Sequence, residues 1–410
     1  MRNDNLHAMP ELEITYPSVE GAECPYPLYE RLRAEAPVTQ VPGTNQYLVT
    51  RWHDVQYVCR HPELFSSDSR RSRTPFDSFG DKNPTIRGMV ELDPPEHKPR
   101  RDACRLSLTP RRLLDYEPMV REIVTHLIDQ FVANGRFEMV EQFSRPLPMD
   151  VTMRLFGFTE EDREWVGAWS LVETSGSAFI SEEAQERQIG YARRAGKRLL
   201  EELVDRYEHP GDDILSEFVA RNVERTGHFD KIQVRADASN MFRGGIITVA
   251  HAIPMATRLL LENPDQLEAV CADSALIPRM FEEALRVESP SQWNPRIAVA
   301  DTELGGVKIP EGAYVMIFWA SGNRDEEVFE DATAFDVRRQ NVAKHLSFGD
   351  GSHFCVGAPL ARLEARVAFE ELLARLPGLR LAQDADAAHV ASPAFRGLRR
   401  LDLAFDMNAH

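Results

Sequence analysis

The sequence has no long hydrophobic run. It contains no stretch of about 18 uninterrupted apolar residues, which is the length that a membrane-spanning helix needs. Residues 1–20 are polar and include acidic side chains, so they lack the basic start and apolar middle of a signal peptide. These absences predict a soluble, cytoplasmic protein that does not enter a membrane.

Cysteine is scarce and scattered. The 410 residues include 5 cysteines, an odd number without a CxxC pair, which excludes a disulfide framework and a zinc-finger pattern. They are Cys24, Cys59, Cys104, Cys271 and Cys355. Of these, Cys355 lies in an unusual, glycine-rich context.

Positive charge is also in short supply. Lysine and arginine together number 48 against 65 aspartate and glutamate residues, a net charge of −17 at pH 7. Nucleic acids and anionic membranes favour basic surfaces, so neither is expected as a partner. No Gly/Ser-rich or Pro-rich linker and no internal repeat divides the chain, which predicts a single domain over residues 1–410.

Hydrophobic periodicity predicts a mainly α protein with a small β region. We expect a strand at residues 46–50 and a hairpin at 306–318 with its turn at 310–312. Helices are predicted at residues 52–59, 117–133, 146–156, 182–208, 264–272 and 276–287.

The longest predicted helix spans residues 230–261. At 1.5 Å per residue it would be ~48 Å long, and its apolar circumference indicates a buried, central position. Gly244-Gly245 and Pro254 weaken it locally. A ligand could be admitted at such a weak point, and a plain core helix with a kink is the alternative.

The most informative segment is residues 348–357. Two glycines before Cys355 permit tight turns and a close backbone approach to a flat or bulky group. An amphipathic helix is predicted after Gly357, so Cys355 precedes a helix N-terminus, where N–H groups favour a thiolate. Cys355 is therefore either a nucleophile or a metal ligand. His353, two residues away on a loop, is poorly placed to activate a nucleophile.

This segment resembles the haem-binding signature of the cytochrome P450 family, FGxGxHxCxG followed by A-P-L-A-R-L-E. The matching residues are Phe348, Gly349, Gly351, His353, Cys355, Gly357 and the run from Ala358 to Glu364. The resemblance implies haem b as the cofactor and Cys355 as the ligand of its iron. It places Phe348 beside the sulfur, His353 at a haem propionate, and Gly349 and Gly357 in the haem-binding loop.

The resemblance covers residues 25–405 and is closest to the soluble bacterial members of the family. It implies a triangular, mainly α haem domain with a small β region, in which the haem lies between the long central helix and the Cys-bearing helix. The implied reaction inserts one oxygen atom from O2 into an apolar or aromatic small molecule. Electrons would come from NAD(P)H through a reductase and a ferredoxin.

Further basic residues match positions that bind the haem propionates. His97 and Arg101 lie at i and i+4, so they share one helix face and can clamp an anion. They resemble the family's HxxxR pair, and Arg296 matches a third propionate-binding position. Pro99 departs from the usual run there. For any one of these residues, an ordinary surface charge is the alternative.

Glu283 and Arg286 lie three residues apart in a predicted helix. Such a spacing usually marks a solvated pair worth little free energy. By resemblance they form the ExxR motif, a scaffold pair that joins a third basic residue, for which Arg339 is expected.

The long helix departs from the family pattern [A/G]-G-x-[D/E]-T. The segment from Gly244 to Thr248 has Ile247 where the family has an acid. In the family this acid and the hydroxyl of the next residue, here Thr248, deliver protons during oxygen activation. Three explanations remain open: proton delivery through Thr248 and water, altered oxygen chemistry such as the use of peroxide, and a substituted or engineered chain.

Substrate is expected where the pocket walls of the family recur. These positions are Gly244, Ile247, Thr248, Gln292, Trp293, Asn294 and Phe395, with Met89-Val90 as a lid. Basic residues crowd one region of this acidic chain and predict a docking patch for an acidic ferredoxin: Lys98, Arg100, Arg105, Arg111 and Arg112. Scattered solvated charges are the alternative for the patch. The rival functions are a haem protein without turnover and a haem-free cysteine hydrolase.

Overall fold

The protein is mainly helical in the part that the computed structural model describes, which comprises Tyr16, Ser18, Gly21 and residues 23–72, 87–170, 182–383 and 388–407. Most of residues 1–20 therefore lie outside the described part. The helices are α1 (Tyr26–Glu35), α2 (Trp52–Arg60), α3 (His97–Arg105), α4 (Pro110–Asp129), α5 (Pro146–Phe156), α6 (Arg163–Ser170), α7 (Glu182–Glu208), α8 (Ile214–Thr226), α9 (Lys231–Glu262), α10 (Pro264–Ala272), α11 (Ile277–Val287), α12 (Trp319–Gly322) and α13 (Ala358–Arg375).

The strands form small sheets beside the helices. They are β1 (Val38–Gln40), β2 (Gln46–Val49), β3 (Phe65–Ser66), β4 (Arg136–Glu138), β5 (Asn294–Ala298), β6 (Thr302–Leu304), β7 (Val307–Ile309), β8 (Tyr314–Ile317), β9 (Arg380–Leu381) and β10 (Asp402–Ala404). One sheet has the order β1-β2-β8-β5-β3, a second β4-β10-β9, and a third pairs β6 with β7. The predicted class, mainly α with a small β region, is confirmed.

Helix α9 is the long helix predicted for residues 230–261. The side chain of Asp230 caps it by accepting a hydrogen bond from the backbone N–H of Gln233 at 3.1 Å. Residues around most of its circumference are buried, and α5, α7, α8 and α11 pack against it. By length and composition α9 could cross a membrane, but most of its apolar stretch is buried inside the fold, as is typical of a core helix.

The predicted weak points do not interrupt α9, which runs through Gly244-Gly245 without a break. Pro254 has no N–H, so the carbonyl of Ala250 loses its usual helical partner. The hydroxyl of Ser144 donates a hydrogen bond to that carbonyl at 3.1 Å. A side chain from a neighbouring segment therefore replaces the missing hydrogen bond.

The predicted hairpin at residues 306–318 is wrong. Strand β7 pairs with β6, and Gly305 and Gly306 form the turn between them. Their φ values of 57° and 79° suit a tight turn between antiparallel strands. Glu303 faces Lys308 across this pair. Strand β8 instead lies between β2 and β5, with all four residues buried. Because β8 is apolar on both faces, it occupies the centre of the larger sheet, and the 310–312 turn joins two sheets.

The helix predicted at residues 117–133 has different bounds. Helix α4 begins at Pro110, a position in the first turn where no backbone N–H is needed, and it contains Pro118. It ends at Asp129, so Phe131, which the prediction placed inside the helix, lies beyond its end. The ring of Phe131 stacks on Phe137 of β4 with centroids 4.1 Å apart.

Helix α13 contains a buried carboxyl group without a visible partner. Glu364 is 1% exposed, and its Oε2 has no hydrogen-bond partner among the described residues. Burial disfavours the charged carboxylate and raises the pKa of Glu364 to about 8. Glu364 is therefore mostly protonated at neutral pH in the folded protein.

Replacing Glu364 should change how stability depends on pH. A pKa raised by folding stabilises the protein fully below the unfolded pKa, and this contribution is lost as pH rises through about 8. Glu364→Gln stays neutral at every pH. Its free energy of unfolding should therefore rise relative to the parent between about pH 5 and pH 8, by at most about 1.4 kcal/mol per pH unit. Denaturant midpoints of both proteins across this range measure the difference.

Glu370→Gln is the matched control on the same helix. It removes a carboxylate that is ion-paired with Arg121 at 2.7 Å and Arg366 at 2.9 Å. A constant difference between Glu364→Gln and the parent, or the same trend in Glu370→Gln, would contradict the assignment of a buried neutral acid.

Candidate functional site

Cys355 lies at the end of a loop that packs closely against α2. Its backbone N–H donates to the carbonyl of Phe348 at 2.6 Å. Gly351 has a φ of 68°, and a Cβ there would lie 2.6 Å from the carbonyl oxygen of Cys59 at the end of α2. Only glycine fits this approach. Helix α13 begins at Ala358, so the predicted place of Cys355 just before a helix N-terminus is confirmed.

Opposing effects act on the sulfur of Cys355. Burial is the largest and raises the pKa of the thiol, whereas the backbone N–H groups of Gly357 and Ala358 and the charges of Arg101 and Arg362 lower it. The net direction is upward, so the helix N-terminus alone does not maintain a thiolate. A metal ion at the sulfur would do so, because a coordinating thiol loses its proton.

His353 is not arranged as a base for Cys355. Its Nε2 lies 3.2 Å from the hydroxyl oxygen of Ser67, and the ring also hydrogen-bonds the backbone carbonyl of Leu92. Burial and nearby cations lower the pKa of His353 to about 2, which leaves a very weak base. The geometry therefore argues against a cysteine hydrolase.

The three basic residues expected to bind propionates converge with His353. The rings of His97 and His353 stack with centroids 4.0 Å apart. Burial, followed by the charges of Arg101 and Arg296, lowers the pKa of His97 to about 4. Arg296 and Arg101 also lower the pKa of His353. The fold thus brings together basic groups from α3, β5 and the Cys355 loop, and they destabilise one another's charged forms.

This basic cluster has no carboxylate within ion-pair distance of Arg101 or Arg296 in the described part of the chain. Both guanidinium groups donate to backbone carbonyls instead, and Arg296 is only 8% exposed. Asp93 acts on Arg296 only at longer range. By contrast, the equally buried Arg100 has Asp237 at 2.6 Å. Because buried charges are costly without counter-charges, the cluster fits an anionic group with two carboxylates, as haem has.

On α9, Gly244 and Thr248 share one face. The hydroxyl of Thr248 donates to the carbonyl of Gly244 at 2.8 Å. A Cβ on Gly244 would meet nothing within 4 Å, so open space adjoins this face. Ile247 lies ~100° round the helix from Thr248 and is 3% exposed. This turn of α9 therefore offers a hydroxyl group beside open space and a hydrocarbon at the position of the expected acid.

Two predicted pocket residues have side chains committed to internal contacts. Gln292 accepts a hydrogen bond from the hydroxyl of Tyr29 at 3.2 Å and donates to the carbonyl of Ser289 at 2.7 Å. The indole N–H of Trp293 donates to the carbonyl of Pro393 at 2.9 Å. The polar groups of Gln292 and Trp293 therefore already have partners, and the role of both residues as pocket walls stays a prediction.

The other predicted pocket residues differ in exposure. Asn294 is exposed at the start of β5, and Phe395 is half-buried. Met89 is buried, with its N–H bound to the carboxylate of Asp237 on α9, whereas Val90 is 49% exposed. The Met89-Val90 segment is therefore anchored to α9 at Met89, and its role as a lid stays a prediction.

The scaffold pair is buried and has the expected third member. Glu283 and Arg286 are both fully buried and 2.7 Å apart, and Arg339 approaches Glu283 at 2.9 Å. Arg286 also donates to the carbonyls of Asn323 and Ala332 at 2.9 and 2.6 Å. The prediction of Arg339 as the partner is confirmed, and the alternative of a solvated pair is wrong.

The predicted docking patch is smaller than the sequence suggests. Arg100 is buried against Asp237, and Arg112 is half-buried in an ion pair with Glu217, so neither is free to meet a partner. Lys98, Arg105 and Arg111 remain exposed, although Lys98 and Arg105 also pair with Asp102 at 2.5 and 3.8 Å.

Sequence reasoning left Arg362 and Glu282 without a role. Arg362 lies within the matched motif and acts electrostatically on Cys355, while Glu282 binds it through two hydrogen bonds of 2.7 and 2.8 Å. In the sequence, both residues stand out only by their proximity to motif residues. Isolated charges on helices usually indicate solvated faces, so they suggested no role.

Comparisons with known proteins agree with this geometry. The family model described as Cytochrome P450 matches residues 133–377. The chain is 35% identical over 402 residues to cytochrome P450 monooxygenase PikC of Streptomyces venezuelae, covering 96% of this chain and 94% of that protein. It is 32% identical over 394 residues to 6-deoxyerythronolide B hydroxylase of Saccharopolyspora erythraea, covering 93% and 96%. The crystal structure of a Bacillus megaterium cytochrome P450 in complex with testosterone is 28% identical, with a TM-score of 0.85 over 95% of this chain and 100% of that chain.

Glu283→Ala should destabilise the fold. Without its carboxylate, Arg286 and Arg339 would be buried and unpaired, which costs roughly 3–5 kcal/mol. We expect a lower melting temperature and poor haem retention. Glu122→Ala is the control, since it breaks an exposed, solvent-screened pair with Arg154 that should contribute little to stability. An unchanged melting temperature and haem content in Glu283→Ala would show that the pair is not a scaffold.

Proposed function

Because the chain belongs to the cytochrome P450 family, we propose that it is a haem-thiolate monooxygenase that inserts one oxygen atom from O2 into an apolar or aromatic small molecule. The observation that carries the proposal is the largely buried basic cluster beside Cys355, in which no carboxylate of the described residues lies within ion-pair distance of Arg101 or Arg296. Relatives named as a monooxygenase and a hydroxylase, and a structural neighbour that binds testosterone, support the same class of reaction.

Residues from separate elements would hold the cofactor, for which we propose haem b. Cys355 would bind the iron through its sulfur, and His97, Arg101, Arg296 and His353 would meet the two propionates. Phe348, Gly349 and Gly357 would line the loop around the sulfur. When bound, the haem supplies the oxygen chemistry, which a thiolate ligand favours by donating electron density. The proposal includes one haem domain over residues 1–410.

On the opposite side of the proposed haem, α9 would direct protons and substrate. Thr248 has a hydroxyl group next to open space, and it can exchange its hydrogen bond to Gly244 for one to water or substrate. Ile247 can neither hold nor pass a proton, so we propose that water and Thr248 supply this route. The proposed pocket residues are Gly244, Ile247, Thr248, Gln292, Trp293, Asn294 and Phe395. The scarcity of charge among them supports an apolar substrate.

We propose that electrons arrive from NAD(P)H through a reductase and a ferredoxin in the cytoplasm. The exposed Lys98, Arg105 and Arg111 lie near Arg101 in sequence and would face an acidic partner on the Cys355 side. Leu106 and Leu114, which are 48% and 71% exposed, add apolar surface to the same region. Mixed basic and apolar surfaces suit a transient protein partner.

Cys355→Ser tests the proposed ligand. An alcohol is a much weaker donor than a thiolate, so the variant should fold but lose the red-shifted Soret band of the reduced carbonyl complex. Cys271→Ser, at an exposed position, should keep that band. If Cys355→Ser retains the band, Cys355 is not the ligand. If the parent protein takes up no haem, the proposed function fails.

Ile247→Asp tests whether an acid is missing. With Thr248 already in place, a carboxyl group at position 247 should raise the ratio of reductase-driven to peroxide-driven product roughly twofold or more, since peroxide brings its own protons. Burial would raise the pKa of the new carboxyl group and limit the gain. Product yields with both oxidant systems measure the ratio.

Ile247→Asn is the matched control, because asparagine has nearly the shape of aspartate but no carboxyl group that can take up or release a proton. An equal ratio in the Asp and Asn variants, with fold and haem intact, would show that Ile247 does not replace an acid. Parent activity with peroxide alone would favour a peroxide-using enzyme. Haem binding without product in either system would favour a haem protein without turnover.

A further inference from the structure

Two adjacent carboxylates on α11 serve different parts of the fold. Glu283 is directed into the buried scaffold, whereas Glu282 reaches the helix that follows Cys355. There, Arg362 donates from Nε to Oε1 of Glu282 at 2.7 Å and from Nη2 to Oε2 at 2.8 Å. A bidentate pair of this kind fixes the plane of the guanidinium as well as its position.

A histidine holds Glu282 in place. Nε2 of His345 lies 2.9 Å from Oε2 of Glu282, and Nδ1 of His345 accepts a hydrogen bond from the backbone N–H of Ser347 at 3.2 Å. Because Nδ1 is an acceptor, the proton of the neutral ring is on Nε2, from which it is donated to Glu282. Glu282 thus has three hydrogen bonds from two side chains, and its pKa falls to about 2 despite burial.

The fixed guanidinium lies over the ring that the family resemblance places beside the sulfur. Cζ of Arg362 is 4.7 Å from the centroid of the Phe348 ring, within the range of a cation–π contact. The ring of His345 also approaches Phe348, with centroids 5.7 Å apart. The backbone N–H of Cys355 is bonded to the carbonyl of Phe348. Arg362 and Cys355 also interact electrostatically, each favouring the other's charged form.

We propose that Arg362 is a positioning residue that tunes the proposed thiolate ligand. Held by Glu282 and His345 and laid over Phe348, its positive charge limits how much electron density Cys355 donates and thereby sets the reduction potential of the haem. The proposal rests on the haem-thiolate function proposed above.

The direction of the effect follows from electrostatics. A positive charge that acts on the sulfur stabilises the added electron of the reduced state. The side chain of Arg362 is 42% exposed, so solvent screens its charge in part, whereas the contact with Phe348 reduces screening on that side. Removing the charge should therefore shift the reduction potential to a more negative value. Arg101 also acts on Cys355, and in the proposed function both arginines have a carboxylate partner, a propionate for Arg101 and Glu282 for Arg362. Arg362 differs in that its guanidinium also lies over Phe348.

The experiment is an equilibrium redox titration of the haem-loaded full chain with small-molecule mediators, without any protein partner. This setup separates the potential from any part that Arg362 plays in docking. Arg362→Gln should lower the ratio of reduced to oxidised haem by ~3-fold or more at the parent's midpoint potential. Arg362→Lys, which keeps the charge but loses the planar fork, should give a potential between those of Arg362→Gln and the parent.

Arg366→Gln is the matched control. Arg366 lies one turn further along α13 and is ion-paired with Glu117 and Glu370. Arg366→Gln therefore removes the same charge from the same helix without disturbing the contact between Arg362 and Phe348. Its potential should stay at the parent value. An equal shift in Arg362→Gln and Arg366→Gln, or no shift in either, would overturn the proposal, because the effect would then be general or absent.

The reduced carbonyl spectrum distinguishes the failure of this inference from the failure of the proposed function. A red-shifted Soret band in the parent and in Arg362→Gln, with unchanged potential, would reject tuning by Arg362 and leave Cys355 ligation intact. Absence of the band from the parent itself would reject the proposed function.

Discussion

The buried ion cluster of Glu283, Arg286 and Arg339 is the constraint from which the Cys355 loop takes its position. Arg286 binds the carbonyl of Asn323. The side chain of Asn323 in turn accepts from the N–H of Leu346 at 2.5 Å and donates to the hydroxyl of Ser347 at 2.7 Å. Phe348 follows directly and binds the N–H of Cys355. Hydrogen bonds to Leu346 and Ser347, followed by the peptide bond to Phe348, therefore lead from a buried charge cluster to the candidate metal ligand.

Buried basic side chains of the described residues fall into two groups, which differ in whether a carboxylate lies within ion-pair distance. In the scaffold and between α3 and α9, each buried arginine has a carboxylate at close range. Among the described residues, no carboxylate lies within ion-pair distance of His97, Arg101 or Arg296, and the basic groups lower one another's pKa values. Because the same fold pairs other buried arginines with its own carboxylates, the basic cluster indicates a site for an anion from outside the chain. In the proposed function, an anion with two carboxylates would supply the counter-charges of this cluster.

The candidate site follows the family pattern at the Cys355 loop but departs from it on helix α9. Helix α9 accommodates Pro254 through Ser144 and presents Thr248 beside open space, yet it buries Ile247 where proton chemistry would call for an acid. The structure gives this position a packing role and no polar alternative. In the proposed function, proton supply would therefore depend on Thr248 and on solvent or substrate, and this makes the position informative about the reaction.

Much of the fold and the site could be predicted from the sequence because the signals were local. The spacing of residues 348–357, the i, i+4 pair of His97 and Arg101, and the apolar periodicity of α9 depend on neighbours within one or two turns. Only the tertiary structure decided which segments meet. Strand β8 joined the larger sheet instead of pairing with β7, Arg100 became buried against Asp237, and Glu282 came to hold Arg362 over Phe348. Burial and pairing arise between residues far apart in the chain, and local periodicity contains no information about which distant partner is chosen.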